Sequence, residues 1–263
     1  MNWRRLGWAG VEIEFDGETV VIDHVLDPGL LTAFLSDDRE PFLHPEGGGA
    51  RAALITHLHR DHADVAAIER ACAPDARVLR PIADTVPSAL DEVATGDAEA
   101  ALAATGLEVV GCRPGERVEA GPFAITALPA ADGLGSPQVS WLVEAGGRRI
   151  LHAGDTMWHG FWWGSASAHG AIDVAFLPGN GVEISYPGWE PAAEVPAVMT
   201  PEQCVEAAGA LRAGTLVPIH FDRTYEHPDY YRPVTDAAER ISRHAERRGV
   251  GVRFAEVGEW AAA

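Results

Sequence analysis

Alternating and continuous apolar runs along the chain predict β-strands. Val11 to Phe15 alternate apolar and polar residues, an Asp-Gly pair follows, and Thr19 to Asp23 resume the alternation. This pattern is typical of a β-hairpin. The apolar runs "AALIT" from Ala52 and "IDVAFLP" from Ile172 predict strands that are buried on both faces.

Further strands are predicted in the middle and at the end of the chain. They are short strands around Val109, Val118 and Phe123 to Leu128, a hairpin across Gly146-Gly147, "TLVPIH" ending at His220, and a final strand "VGVRFAEV".

Helical periodicity separates these strands. The predicted helices start near Ala63, cover the Ala-rich segment from Asp84 to Ala104, begin at Thr200 with a capping signal, and cover "VTDAAERISRHAERRG". Two successive groups of strands, each followed by helices, predict an α/β fold with four layers, helix–sheet–sheet–helix. We expect residues 1–263 to form a single domain.

Composition restricts the classes of function. The formal net charge is −19, which argues against nucleic acid as a partner because such binding depends on basic side chains. All the basic residues are Arg, so a catalytic lysine is excluded. The chain has no apolar run long enough to cross a membrane, and its N-terminus lacks the apolar core of a signal peptide. Three scattered cysteines fit a reducing compartment, so a cytoplasmic location is expected.

The segment "THLHRDHAD" places four side chains that bind metals within six residues, namely His57, His59, Asp61 and His62. A single histidine in a loop is usually solvated. Four such groups held together without a cation would leave unpaired donors, acceptors and charge, at a cost of several kcal/mol. The spacing between a buried strand and a helix therefore predicts a metal site.

This segment resembles the T-H-x-H-x-D-H signature of the metallo-β-lactamase superfamily. "LHAGDT" is similar to the family's G-D-T segment, and "VPIHFD" to the strand end that carries its last histidine ligand. The opening "RRLGWAGVEIEFDGETVVID" resembles the branch that includes ascorbate-6-phosphate lactonase-like hydrolases. The resemblance implies an αββα sandwich with a metal site at one edge of the sheets. It also implies that Asp155 bridges two metals and that His220 binds one.

One position departs from the family pattern. Where this branch has P-A-x-H-G, the chain reads "PAADG" and places Asp132 at the histidine position. Asp132 is interpreted as a carboxylate ligand. The alternative is that it only caps a turn, since Asp-Gly is a common turn pair.

With Asp132 taken as a ligand, the resemblance implies two ligand sets that share Asp155. The first set is His57, His59, Asp132 and Asp155, and the second is Asp61, His62, Asp155 and His220. Two divalent metal ions are expected as cofactors, zinc by default, while the extra carboxylate favours manganese or iron relative to an all-histidine site. Asp61 is the candidate catalytic residue that orients the nucleophile, and Asp23 is a candidate to bond the free nitrogen of a ligand histidine.

Aromatic residues near these positions are candidates to bind an apolar or ring-bearing small-molecule substrate. They are Trp158, Phe161, Trp162, Tyr186, Tyr225 and His227. The alternative for each is ordinary packing in the core or a place on the surface.

The hypothesis that follows is a metal-dependent hydrolase acting on a small ester, lactone, amide or phosphoester through activated water. A second hypothesis is an oxidoreductase with one iron, since two histidines and a carboxylate resemble a facial triad. A third is a non-catalytic binding protein whose first metal site is degraded.

Overall fold

The computed structural model describes residues 1–82, 89–185 and 193–263. Seven strands form a first sheet in the order β15-β1-β2-β3-β4-β5-β6. In chain order they are β1 Asn2–Gly7, β2 Gly10–Phe15, β3 Glu18–Ile22, β4 Ala50–Leu54, β5 Cys72–Pro81, β6 Glu108–Cys112 and β15 Ala261–Ala262. Strands β3 to β6 run parallel, so the carboxyl ends of β3 and β4 meet at one edge.

Six strands form a second sheet in the order β13-β11-β10-β9-β8-β7. They are β7 Arg117–Ala120, β8 Phe123–Pro129, β9 Val139–Ala145, β10 Arg148–His152, β11 Val174–Pro178 and β13 Thr215–Ile219. Strands β10, β11 and β13 are parallel, and their carboxyl ends also lie together. A small sheet pairs β12 Glu183–Ile184 with β14 Tyr231–Arg232.

Helices lie beside both sheets. The described helices are α1 Val65–Ala71, α2 Ala89–Ala104, α3 Trp162–His169, α4 Pro201–Ala210 and α5 Ala237–Arg248, with a 3₁₀ helix at Gly29–Phe34. Thr200 accepts the N–H of Gln203, and Gln203 accepts that of Thr200, which completes the predicted capping box of α4. Among the described residues, no helix combines the length and the apolar character that a membrane span requires.

Side-chain alternation along each strand produces the layers. In β3, Val20 and Ile22 belong to a central cluster that also contains Ile125 and Phe176 of the second sheet. Val21, between them, faces outward into a cluster with the side chains of α1 and α2. The second sheet behaves in the same way, since Leu142, Leu151 and Leu177 pack against α4 and α5. The α/β fold is therefore the predicted αββα sandwich, with two outer clusters and one central cluster.

Most predicted strands are confirmed, and the final one is wrong. The hairpin across Gly146-Gly147 is β9–β10, and the turn is possible because both glycines have positive φ, 55° and 76°. "VGVRFAEV" forms no regular strand but only two isolated bridges, from Val252 to Leu216 and from Val257 to Arg5. The segment passes from the second sheet to the first, so it cannot pair along its length with either.

Two other predictions need comment. Helix α3, which covers the second half of the aromatic segment after Asp155, is not among the helices predicted from the sequence. The predicted helix from Asp84 is described from Ala89 onward, and residues 84–88 lie outside the described residues. The single domain over residues 1–263 stays a prediction, which the shared central cluster supports.

A buried arginine ties the loop before β4 to the first sheet. Arg5 is fully buried and bonds Glu40 through two hydrogen bonds of 3.1 and 2.6 Å. Glu40→Ala leaves the buried guanidinium without its carboxylate, so we expect it to lower the free energy of unfolding by about 1–3 kcal/mol. The loss is smaller than for a fully buried ion pair because Glu40 is partly solvated. Urea unfolding measures the change. Glu226→Ala, which breaks the exposed pair with Arg223, is the matched control and should cost less than about 1 kcal/mol. Equal losses in the two variants would contradict the prediction.

Candidate metal centre

Seven candidate ligands meet at the edge where the strands of both sheets end. His57, His59, Asp61 and His62 occupy the segment between β4 and α1. Asp132 follows β8, Asp155 follows β10, and His220 follows β13. The structure therefore gathers residues that lie up to about 160 positions apart, and it arranges them in two groups.

The second group consists of Asp61, His62, Asp155 and His220. Nε2 of His62 lies 3.1 Å from Oδ1 of Asp155, and Nε2 of His220 lies 3.0 Å from Oδ2 of Asp155. Oδ2 of Asp61 is 3.7 Å from Nε2 of His62. Both oxygens of Asp155 thus face histidines of this group, and its bridging to the first group stays a prediction.

The first group consists of His57, His59 and Asp132. Oδ2 of Asp132 lies 3.8 Å from Nε2 of His57 and 3.8 Å from Nδ1 of His59. Oδ1 of the same carboxylate accepts the N–H of Leu134 at 2.6 Å. One oxygen of Asp132 therefore closes a turn while the other faces the two histidines, so the geometry is compatible with both interpretations. That Asp132 is a metal ligand stays a prediction.

Asp23 orients two of the histidines. Its Oδ2 lies 2.8 Å from Nδ1 of His62, which as a donor to a carboxylate must carry the proton. The same oxygen accepts the Thr56 hydroxyl at 2.7 Å, and that hydroxyl lies 3.0 Å from Nδ1 of His57. Because the Nδ1 atoms are engaged, Nε2 of both rings is left for a metal. This is the contact predicted for Asp23.

In His59 the two ring nitrogens exchange roles, so that Nε2 is hydrogen-bonded and Nδ1 faces the first group. Its Nε2 lies 2.8 Å from Oγ of Ser136, and Nδ1 is the atom that faces Asp132. Ser136 was not among the predicted site residues, because nothing in its sequence surroundings marks it.

Burial and neighbouring charges together shift the pKa values of four of these groups. Burial, helped by His62 and His59, holds the pKa of His57 well below its ordinary value. Burial also lowers the pKa of His62, but Asp155, Asp23 and Asp61 outweigh that effect and the pKa is raised well above its ordinary value. Burial would raise the pKa of Asp155, yet His220 and His62 hold it well below its usual range. Burial raises the pKa of Asp132.

Several atoms at this edge are buried and make no hydrogen bond within the described part of the chain. They are Nε2 of His57 and Oδ2 of Asp132, which lie 3.8 Å apart, and Nε2 of His62 and Oδ1 of Asp155, which lie 3.1 Å apart but without the angles of a hydrogen bond. Buried polar atoms without a partner are rare and costly, and these all face into the two groups. Imidazole nitrogens and carboxylate oxygens are also the donors that divalent transition metals take in proteins. The residues therefore fit metal ions.

Backbone conformation at the edge is strained. Asp23 and His220 have positive φ, 47° and 46°, which costs non-glycine residues of the order of 1 kcal/mol each. Gly154, which precedes Asp155, has φ of 63°, and a Cβ there would lie 2.6 Å from the Thr56 hydroxyl. Only glycine allows the segment after β10 to approach the segment after β4 this closely.

The predicted substrate-binding residues are dispersed. Phe161 is 55% exposed. Trp162 is 1% exposed and packs in the outer cluster with α4, and this position does not support its predicted role in substrate binding. Trp158 is partly buried against the same cluster. Tyr186 lies outside the described residues.

Tyr225 lies near the candidate ligands, whereas His227 packs among other aromatic residues. The Tyr225 ring is buried and lies 4.8 Å from the ring of Trp8, which itself lies 3.9 Å from the ring of His220. Burial raises the pKa of Tyr225, and Asp61 and Asp155 add to the shift, so the phenol stays neutral. His227 stacks on Tyr230 at 4.6 Å.

Three further residues escaped prediction from sequence. Trp8 donates from Nε1 to Oδ2 of Asp61 at 3.1 Å. The Tyr231 hydroxyl lies 3.2 Å from Nε2 of His220. Nε2 of His152 lies 2.8 Å from the carbonyl oxygen of Ala9, and Nδ1 accepts the N–H of Gly154 at 3.2 Å. His152 therefore stabilises the backbone that leads into Asp155. The tight turn in "LGWAG" was the one available signal for Trp8.

Comparison with known proteins identifies the family of this chain. Residues 18–221 match the family described as the beta-lactamase superfamily domain. A UPF0173 metal-dependent hydrolase of Thermococcus kodakarensis is 27% identical over 243 residues, which cover 88% of this chain and 95% of that protein.

Two solved structures share the fold. One is Igni18, a metallo hydrolase of Ignicoccus hospitalis, with a TM-score of 0.64, 20% identity, and coverage of 99% of this chain and 97% of that one. The other is CmlA, a diiron β-hydroxylase of Streptomyces venezuelae, with a TM-score of 0.75 and 18% identity over 100% of this chain. The chain spans about half of CmlA, 54% of its length. The predicted likeness to the lactonase-like branch stays a prediction. The family match and the fold together show that the chain belongs to the metallo-β-lactamase superfamily.

Proposed function

We propose that the protein is a metal-dependent hydrolase that cleaves a small-molecule ester, lactone, amide or phosphoester. The observation that carries the proposal is the pair of ligand groups, whose buried His and Asp atoms lack partners and converge at one sheet edge. The UPF0173 relative is named as a metal-dependent hydrolase, which supports the same class.

Each group would hold one divalent ion, with zinc the first expectation and manganese or iron the alternatives. Such an ion lowers the pKa of water and polarises a carbonyl or phosphoryl oxygen. Asp61 then acts as the residue that orients the attacking water and carries its proton toward the leaving group. It is suited to this by its position, since it is 8% exposed and lies beside His62 and Asp155.

The test uses protein purified without added metal. We expect about two metal ions per chain by elemental analysis, hydrolysis of at least one member of a panel of esters, lactones, amides and phosphoesters, and loss of that activity on chelation. His220→Ala should bind less metal and lose most of the activity. Hydrolysis that survives complete removal of the metal would overturn the proposal.

Asp132 favours a second candidate, an iron-dependent oxidoreductase. The two histidines and the carboxylate of the first group are the donor set of a facial triad. CmlA, a diiron β-hydroxylase, has the same fold over 54% of its length. Purified protein that contains iron, consumes oxygen with a small organic substrate and fails to hydrolyse the panel would select this candidate.

A further inference from the structure

Trp8 lies in the tight connection between β1 and β2. Its side chain is 1% exposed, and its backbone has φ of 44°, a left-handed conformation that is unfavourable for a tryptophan. A bulky residue in this conformation at a turn is uncommon, and such strain is concentrated at functional sites. The turn therefore holds an aromatic ring under strain at the sheet edge that carries the metal ligands.

Two ligands of the second group contact this side chain. The indole N–H donates to Oδ2 of Asp61 at 3.1 Å. The ring also packs on the ring of His220, with centroids 3.9 Å apart and planes tilted by 47°. Asp61 follows strand β4 of the first sheet and His220 follows strand β13 of the second, so the Trp8 side chain contacts candidate ligands from both sheets.

The other buried indoles differ in their partners. Nε1 of Trp141, which is fully buried, donates to the backbone carbonyl of Ile55 at 3.1 Å. Trp3 and Trp162 are each 1% exposed, as Trp8 is, but their Nε1 atoms make no hydrogen bond within residues 1–82, 89–185 and 193–263. Of these four buried indoles, that of Trp8 alone donates to a candidate metal ligand.

We propose that Trp8 is a positioning residue for the second ligand group. Its N–H holds one oxygen of Asp61 and restrains rotation of the carboxylate, while its ring restrains the plane of His220. An indole N–H is a donor only, so it cannot compete for the metal. It is also uncharged, and therefore leaves Asp61 the negative charge that a metal ligand and proton carrier needs. The inference rests on the proposed function.

The test compares Trp8→Phe, which keeps a ring and removes the N–H, with Trp3→Phe as a matched control. Affinity for zinc is measured by competition with a chromophoric chelator, and kcat and KM are measured on the panel substrate that the wild type hydrolyses. We expect Trp8→Phe to weaken binding of one of the two ions by about 10–100-fold and to lower kcat more than KM changes, as loss of an outer contact to a ligand does. Trp3→Phe should leave metal affinity and kcat unchanged.

Two additional variants make the result decisive. In an Asp61→Ala background, Trp8→Phe should weaken metal binding by less than about 3-fold further if it acts mainly through Asp61. If Trp8→Phe fails to fold, site-specific incorporation of 3-benzothienylalanine at position 8 keeps the size of the indole and lacks only the N–H. Wild-type metal affinity in the folded variant would overturn the inference. Absence of metal or of hydrolysis in the wild type would instead overturn the proposed function.

Discussion

Asp155→Asn is expected to remove at least one metal ion per chain and to lower kcat/KM by about three orders of magnitude or more. The carboxylate lies 3.1 Å from Nε2 of His62 and 3.0 Å from Nε2 of His220. Asparagine keeps the shape of the side chain but replaces the two anionic oxygens with one neutral carbonyl oxygen and one NH2 group. The NH2 group is a hydrogen-bond donor and cannot bind a cation. Elemental analysis and steady-state kinetics measure the two effects.

The control for this substitution is Asp173→Asn. Asp173 accepts hydrogen bonds from Arg148 and from the backbone of Arg149, and it precedes β11 at the opposite end of the second sheet from the ligands. The same chemical change there should leave metal content and kcat/KM as in the wild type. Asp155→Asn with full metal content and full activity would show that Asp155 is not a ligand.

Asp132→Asn is expected to weaken metal binding at the first group by about 10–100-fold while it preserves the local turn. Asparagine can still accept the Leu134 N–H, so the contact that Oδ1 makes survives. What is lost is the negative charge on the oxygen that lies 3.8 Å from both His57 and His59. Chelator competition and thermal unfolding separate the two roles of this carboxylate.

Asp132→His supplies the contrasting arm. A third imidazole replaces the hard oxygen donor with a nitrogen, so we expect zinc to gain affinity relative to manganese in a competition between the two metals. If Asp132→Asn retains wild-type metal count and affinity, Asp132 serves only the turn, and the first group is reduced to two histidines.

Local sequence patterns determined the layers and the first half of the candidate metal centre. Period-two alternation in β3 placed Val20 and Ile22 on one face and Val21 on the other, and the capping residues of α4 are neighbours in sequence. The motif from His57 to His62 is equally local, because one strand end and one helix start set the directions of its side chains. Asp155 and His220 needed the family resemblance, since their distance from the motif along the chain is large.

Tertiary structure alone decided how Asp132 divides its two oxygens between a turn and the histidines, and that Trp8 reaches Asp61. It also decided that Trp162 belongs to the outer cluster and that the segment after α5 crosses between the sheets without forming a strand. The physical reason is the same in each case. These outcomes depend on which distant surfaces meet at a sheet edge, and periodicity within one segment contains no information about its partner.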